Sequence, residues 1–183
     1  MTSALVSAAL MPFVGSLIDH TPYRRSVGRL SAACLAFLIL LQIYALRFAW
    51  FLAAIIQVIV AFLYSVHLCA VFAYLPELTN NTETLVEYTS RFTAAQYGAS
   101  VVFLLTIVGV LNVTGIGYGD DVLAAQVSQT TVFIVITLFF GIAWSKMFQE
   151  REASHTIPQD TTLVNAGFIK LFRTAREITT HHR

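Results

Sequence analysis

Charge is what this chain has least of. Only 11% of its 183 residues are Asp, Glu, Lys or Arg, whereas ordinary soluble domains carry roughly 25%. So thin a charged complement cannot clothe a water-facing surface. The charges also nearly cancel, at a net +1, which leaves no basic face to hold a nucleic acid. Cysteine is scarce as well. Cys34 and Cys69 both sit inside apolar runs; they lack metal-ligand spacing and read as packed thiols rather than a disulfide. Period-two alternation of apolar and polar residues is not sustained, which argues against strands. No constellation of nucleophile, base or metal ligands emerges, so neither an enzyme, a cofactor nor a metal centre is expected.

Apolar length is what the chain has instead. Hydrophobic residues make up 57%, and the mean hydropathy is +0.72. A bilayer core about 30 Å thick needs about 20 apolar residues as a helix. Five runs of this kind lie at about 2–18, 30–46, 49–74, 96–113 and 130–147. Helices satisfy their own backbone groups in lipid. The expected fold class is therefore all-α: a polytopic helical membrane protein with about five transmembrane helices. Residues 1–148 form the bundle, and 149–183 form a cytosolic loop and an amphipathic helix. The first run has no basic region ahead of it, and Met11, Pro12 and Phe13 interrupt a clean cleavage pattern. It reads as a membrane helix rather than a signal peptide.

Lysine and arginine set the orientation. Five alternating spans place Arg24, Arg25, Arg29, Arg91, Lys146, Arg151, Lys170, Arg173, Arg176 and Arg183 on one side and only Arg47 on the other. By the positive-inside rule the crowded side is cytosolic. The loop at 19–29 and the C-terminal tail then face the cytosol, and the loop at 114–128 faces away from it.

Two motifs carry a family resemblance. Gly15-Ser16-Leu17-Ile18-Asp19, followed by Arg24-Arg25, resembles the signature loop between the second and third helices of the major facilitator superfamily. Pro22 stands where that family usually has a second glycine, and Tyr23 where it often has a basic residue. Gly15 would let a neighbouring helix approach closely. Asp19 would pair with an arginine or face a helix N-terminus. Further on, Ala73-Tyr74-Leu75-Pro76-Glu77-Leu78 and the polar stretch after it resemble the autophagy-related vacuole effluxer branch of that superfamily. So do Asp19-His20-Thr21-Pro22 and the stretch from Ala166 to Arg173. The resemblance covers nearly the whole chain in patches. It implies that the five spans match the second to sixth helices of a twelve-helix transporter. The chain would then be part of the N-terminal half, with the second half, or a partner chain, still to be supplied.

That resemblance implies a function: export of amino acids from the vacuole or lysosome after autophagic breakdown, by alternating access. Gly15, Asp19, Arg24 and Arg25 would form the conformational gate. The residues themselves suggest a possible substrate or proton path. His67 is ionisable and lies within the third span, where such a group is a functional candidate by default. Gln57 and Gln42 are polar and intramembrane, and Gln96 opens the fourth span beside Tyr97, Gly98 and Ser100. Glutamines there also serve as hydrogen-bonding glue between helices. Two other readings stay open: a major-facilitator transporter of another small solute, and a non-transporting membrane subunit or adaptor. Partners under all three are membrane lipids, with a small solute for the first two.

Other features carry less. Gly115-Ile116-Gly117-Tyr118-Gly119 lacks a preceding strand and so reads as a flexible loop rather than a nucleotide cradle. Asp120-Asp121 reads as solvated. Asn80-Asn81-Thr82 and Asn112-Val113-Thr114 match the glycosylation pattern, but one falls on the cytosolic side and the other hugs the membrane. From Leu163 to Ile178 apolar residues recur at spacings of three and four, flanked by Lys170, Arg173 and Arg176. This fits a helix lying on the membrane surface.

Overall fold

The computed structural model describes residues 2–79, 81–116, 119–150 and 176. Among these the chain is helical, with no strand. Helix α1 runs Thr2–His20, α2 Arg24–Phe48, α3 Trp50–Phe72, α4 Thr82–Thr114 and α5 Asp121–Ile142. A 3₁₀ turn at Leu75–Glu77 follows α3, and a π turn at Ala143–Met147 extends α5. Four helices are long and apolar enough to cross a membrane: α2, α3, α4 and the continuous run Asp121–Met147. The fold is that of a helical integral membrane protein. The surface-helix expectation for Leu163–Ile178 lies outside the described residues, apart from Arg176.

The helices are longer than their apolar runs, for identifiable reasons. Helix α2 begins at Arg24 rather than near Leu30. The arginines therefore stand in its first turns, and the connection from α1 shrinks to Thr21–Tyr23. The Thr21 hydroxyl shapes that turn by bonding back to the Leu17 carbonyl. Helix α4 starts at Thr82 and absorbs the polar stretch that precedes the expected span. The Asn81 side chain accepts from the Glu83 N–H at 2.9 Å, an N-cap that satisfies one of the helix's open donors. Thr89 and Thr93 hydroxyls turn back onto carbonyls four residues earlier, so they fit within the helix. At 33 residues, α4 is about 50 Å long, well beyond a hydrocarbon core. It ends where Gly115 takes a left-handed φ of 70° and donates to the Asn112 carbonyl, a conformation glycine adopts without a Cβ penalty. Asp120 is the N-cap of α5, accepting from the Leu123 N–H at 3.0 Å. Both it and Asp121 are exposed, as expected, but they form a helix start rather than a loop.

Packing centres on α2 and α3. They form a tight antiparallel hairpin with only Ala49, in a non-helical conformation, between them. Helix α1 lies along α3, and α5 lies along α2. One core cluster joins Val14 and Ile18 of α1, Ala32 of α2, Val66 and Ala70 of α3, and Trp144 of the π turn. A second joins Ala45, Ala53 and Ile56 near the α2–α3 connection. Helix α4 stands outermost and buries only Ile107, and α5 buries none of its residues.

Candidate functional site

One end of the bundle gathers the close of α1, the start of α2, the close of α3 and the π turn. Helix C-termini leave carbonyls without intrahelical partners, and they attract cations. The two arginines that open α2 serve this need on neighbouring helices. Arg24 is buried, donates through Nη1 to the Ala73 carbonyl at 3.0 Å, and sits 5.3 Å over the Tyr74 ring. Arg25 donates through Nη2 to the Trp144 and Ser145 carbonyls at 3.4 and 3.5 Å, and its Nη1 lies 4.0 Å from Glu150. Tyr74 adds a bond from its hydroxyl to the Gln149 carbonyl. The arginine pair thus ties three chain segments together, which the loop motif alone did not reveal.

Asp19 lies in the last turn of α1, one residue before its end. Gly15 departs from expectation. A Cβ placed there would meet no atom within 4 Å, so among the described residues no helix approaches it closely. The close-approach glycine is Gly28. A Cβ there would overlap the Trp144 ring. The π turn explains this contact. It holds one residue more than an α turn, and Phe148 N–H bonds to the Ala143 carbonyl five residues back. That places Trp144, 3% exposed, against α2.

Below this lies His67, also 3% exposed. The Ser31 hydroxyl sits 3.3 Å from its Nδ1 and donates to the Gly28 carbonyl at 2.9 Å. The imidazole stacks on Phe140 at 4.1 Å and meets Trp144 edge-on at 5.6 Å. His67 is therefore part of the packed interior. Its ionisable side chain inside an apolar span marked it as a candidate, but Ser31, Phe140, Trp144 and Gly28 were not singled out. The small residues Gly28, Ser31 and Ala32, at i, i+3 and i+4, were the available signal of a closely packed face.

The midspan polar residues arrange differently. Gln42 is buried on α2, and its Nε2 donates to the Ala53 carbonyl at 3.3 Å and to Gln57 Oε1 at 2.9 Å. Gln42 thus behaves as interhelical glue. Gln57 itself is exposed. Seven residues on, Tyr64 is 38% exposed and accepts from Gln96 Nε2 of α4 at 2.9 Å. At 100° per residue, Gln57 and Tyr64 share one stripe of α3, and Gln96 reaches the same stripe from α4. The midpoint of Trp50–Phe72 falls between the two α3 residues.

A pocket of about 380 Å³ opens between α3, α4 and the end of α5. Tyr64, His67 and Gln96 line it with Phe92, Phe140 and Trp144. Small-molecule sites begin at roughly this size. The structure thus brings His67 and Gln96 to one cavity, with Gln57 about 10 Å along the helix from Tyr64. Among the described residues no group of His, Cys, Asp and Glu is placed to hold a metal ion. No family model matches the chain, nor does any curated protein or solved structure.

Proposed function

We propose that this bundle belongs to a solute transporter of the major-facilitator type that exports amino acids from the vacuole or lysosome. The observation that carries this reading is the polar stripe of Gln57, Tyr64 and Gln96 at midspan. Amide and phenol groups turned toward hydrocarbon would compete poorly for hydrogen bonds. A stripe of them on an otherwise apolar helix calls for water, solute or further protein on that side. In transporters of this architecture the solute path runs at the bilayer midplane between two bundles that rock about it. The stripe is suited to border such a path.

The arginine ties at the loop end support the gate part of the reading. They hold α2 to the ends of α3 and α5 through a few exchangeable hydrogen bonds. Contacts of this kind are suited to break and reform as helices shift. The vacuolar destination, the cytosolic placement of the loop and the choice of amino acids rest on the resemblance and on the lysine and arginine pattern.

The test is efflux from isolated vacuoles that carry the full gene product, loaded with radiolabelled amino acids. Efflux above vacuoles lacking the protein is expected. Gln57→Leu should reduce it at least tenfold at equal membrane abundance, and Asp19→Asn should lower it without loss of membrane insertion. Equal efflux with and without the protein sinks the transport assignment. Normal efflux by the inserted Asp19→Asn protein removes Asp19 from the gate.

A further inference from the structure

A second cavity lies against α2. A groove of about 270 Å³ runs between α2 and α5. Its walls are Ala33 and Ala36 on one side and Ile136 and Gly141 on the other, with Arg29 and Ser145 at its head. From Arg29 to Ala36 is seven residues, so the groove extends about 10 Å from the arginine end toward the midplane. Both walls belong to helices long and apolar enough to cross a membrane, so in a bilayer it would open where acyl chains run.

Charge distinguishes this groove from the rest of the apolar surface. Arg29 is exposed and forms no ion pair among the described residues. Arg25 lies one turn before it on the same face of α2, and Lys146 follows Ser145 in the chain and is exposed. The carboxylate bonded to this cluster is Glu150, 4.0 Å from Arg25. Trp144 also lines the groove. An apolar slot headed by an exposed guanidinium that has no carboxylate partner among the described residues matches one kind of neighbour that a bilayer supplies.

We propose that the α2–α5 groove binds an anionic phospholipid, with its phosphate at Arg29 and one acyl chain lying along Ala33 and Ala36. The long arginine stem lets the guanidinium rise to headgroup level while its methylenes stay in the apolar layer. The site is separate from the α3 stripe and does not depend on the transport reading.

The chain has two tryptophans, and Trp50 stands at the opposite end of the bundle. In a Trp50→Phe protein of this chain Trp144 is the remaining tryptophan; it lines both this groove and the α3–α4 pocket, and Ala33→Phe tells the two apart. The full chain is reconstituted in phosphatidylcholine bilayers doped with lipid carrying brominated acyl chains, which quench tryptophan on contact. Brominated phosphatidylserine should quench Trp144 at about one fifth of the concentration that brominated phosphatidylcholine needs. Arg29→Gln should bring the two lipids level, and Arg29→Lys should keep the preference. Ala33→Phe, which fills the groove, should weaken quenching by both. Equal quenching in the parent protein overturns the proposal. So does a preference that survives Arg29→Gln, or quenching untouched by Ala33→Phe.

Discussion

Gly28 shows how much can hang on a missing methyl group. The Trp144 ring occupies the space that a side chain would need. Gly28→Ala should therefore destabilise the protein by about 1–3 kcal/mol, the usual cost of overpacking. Trp144→Ala opens a cavity of its own, but the pair should be far from additive because each change relieves the other. Thermal unfolding of the four proteins in detergent checks this. A similar experiment addresses Gln42. Gln42→Leu removes two hydrogen bonds between α2 and α3, at an expected cost of about 1 kcal/mol. His67, Gln42 and Gln57 were legible in the sequence because a polar residue in an apolar run announces itself. Gly28 and Trp144 were not, because a small residue and an aromatic one look ordinary there. Their pairing depends on a π turn, and sequence periodicity carries no signal for one extra residue in the final turn.

At the level of the helices, the arginines at the head of α2 tie it to the ends of α3 and α5. Arg24 is buried and makes the shorter bond, whereas Arg25 is partly exposed and its bonds are long. Hydrogen bonds to charged groups contribute about 1.5–3 kcal/mol, while exposed ion pairs contribute little. Arg24→Ala should thus lower the unfolding midpoint clearly more than Arg25→Ala does. Equal midpoints would mean that the Ala73 contact contributes nothing special. The existence of the membrane helices was legible from run length alone. Their ends were not. Helices α4 and α5 begin well before their apolar windows because Asn81 and Asp120 cap them, and Thr89 and Thr93 tolerate the helix by bonding back onto it. The rule that polar residues mark loops fails where hydroxyls satisfy themselves in this way.

On the scale of the whole molecule, the defining property is how little of it is covered. In the apolar windows of α4 and of the Asp121–Met147 run, only 6% and 0% of residues are buried. Soluble monomers rarely expose contiguous apolar patches beyond a few hundred Å². A bilayer suits such a surface; on the transporter reading proposed above, the Gln57–Tyr64 stripe faces water or solute instead. The most direct measurement is cysteine accessibility in the membrane-embedded full gene product, after Cys34 and Cys69 are changed to serine. Gln57→Cys, Ala61→Cys and Tyr64→Cys lie along the stripe. Ile55→Cys and Ile59→Cys lie about 160° around α3 from Gln57. A membrane-impermeant thiol reagent is expected to label the first three, transported solute to slow this labelling, and the two isoleucine positions to stay unreactive. Labelling of all five alike, or of none, would contradict that reading.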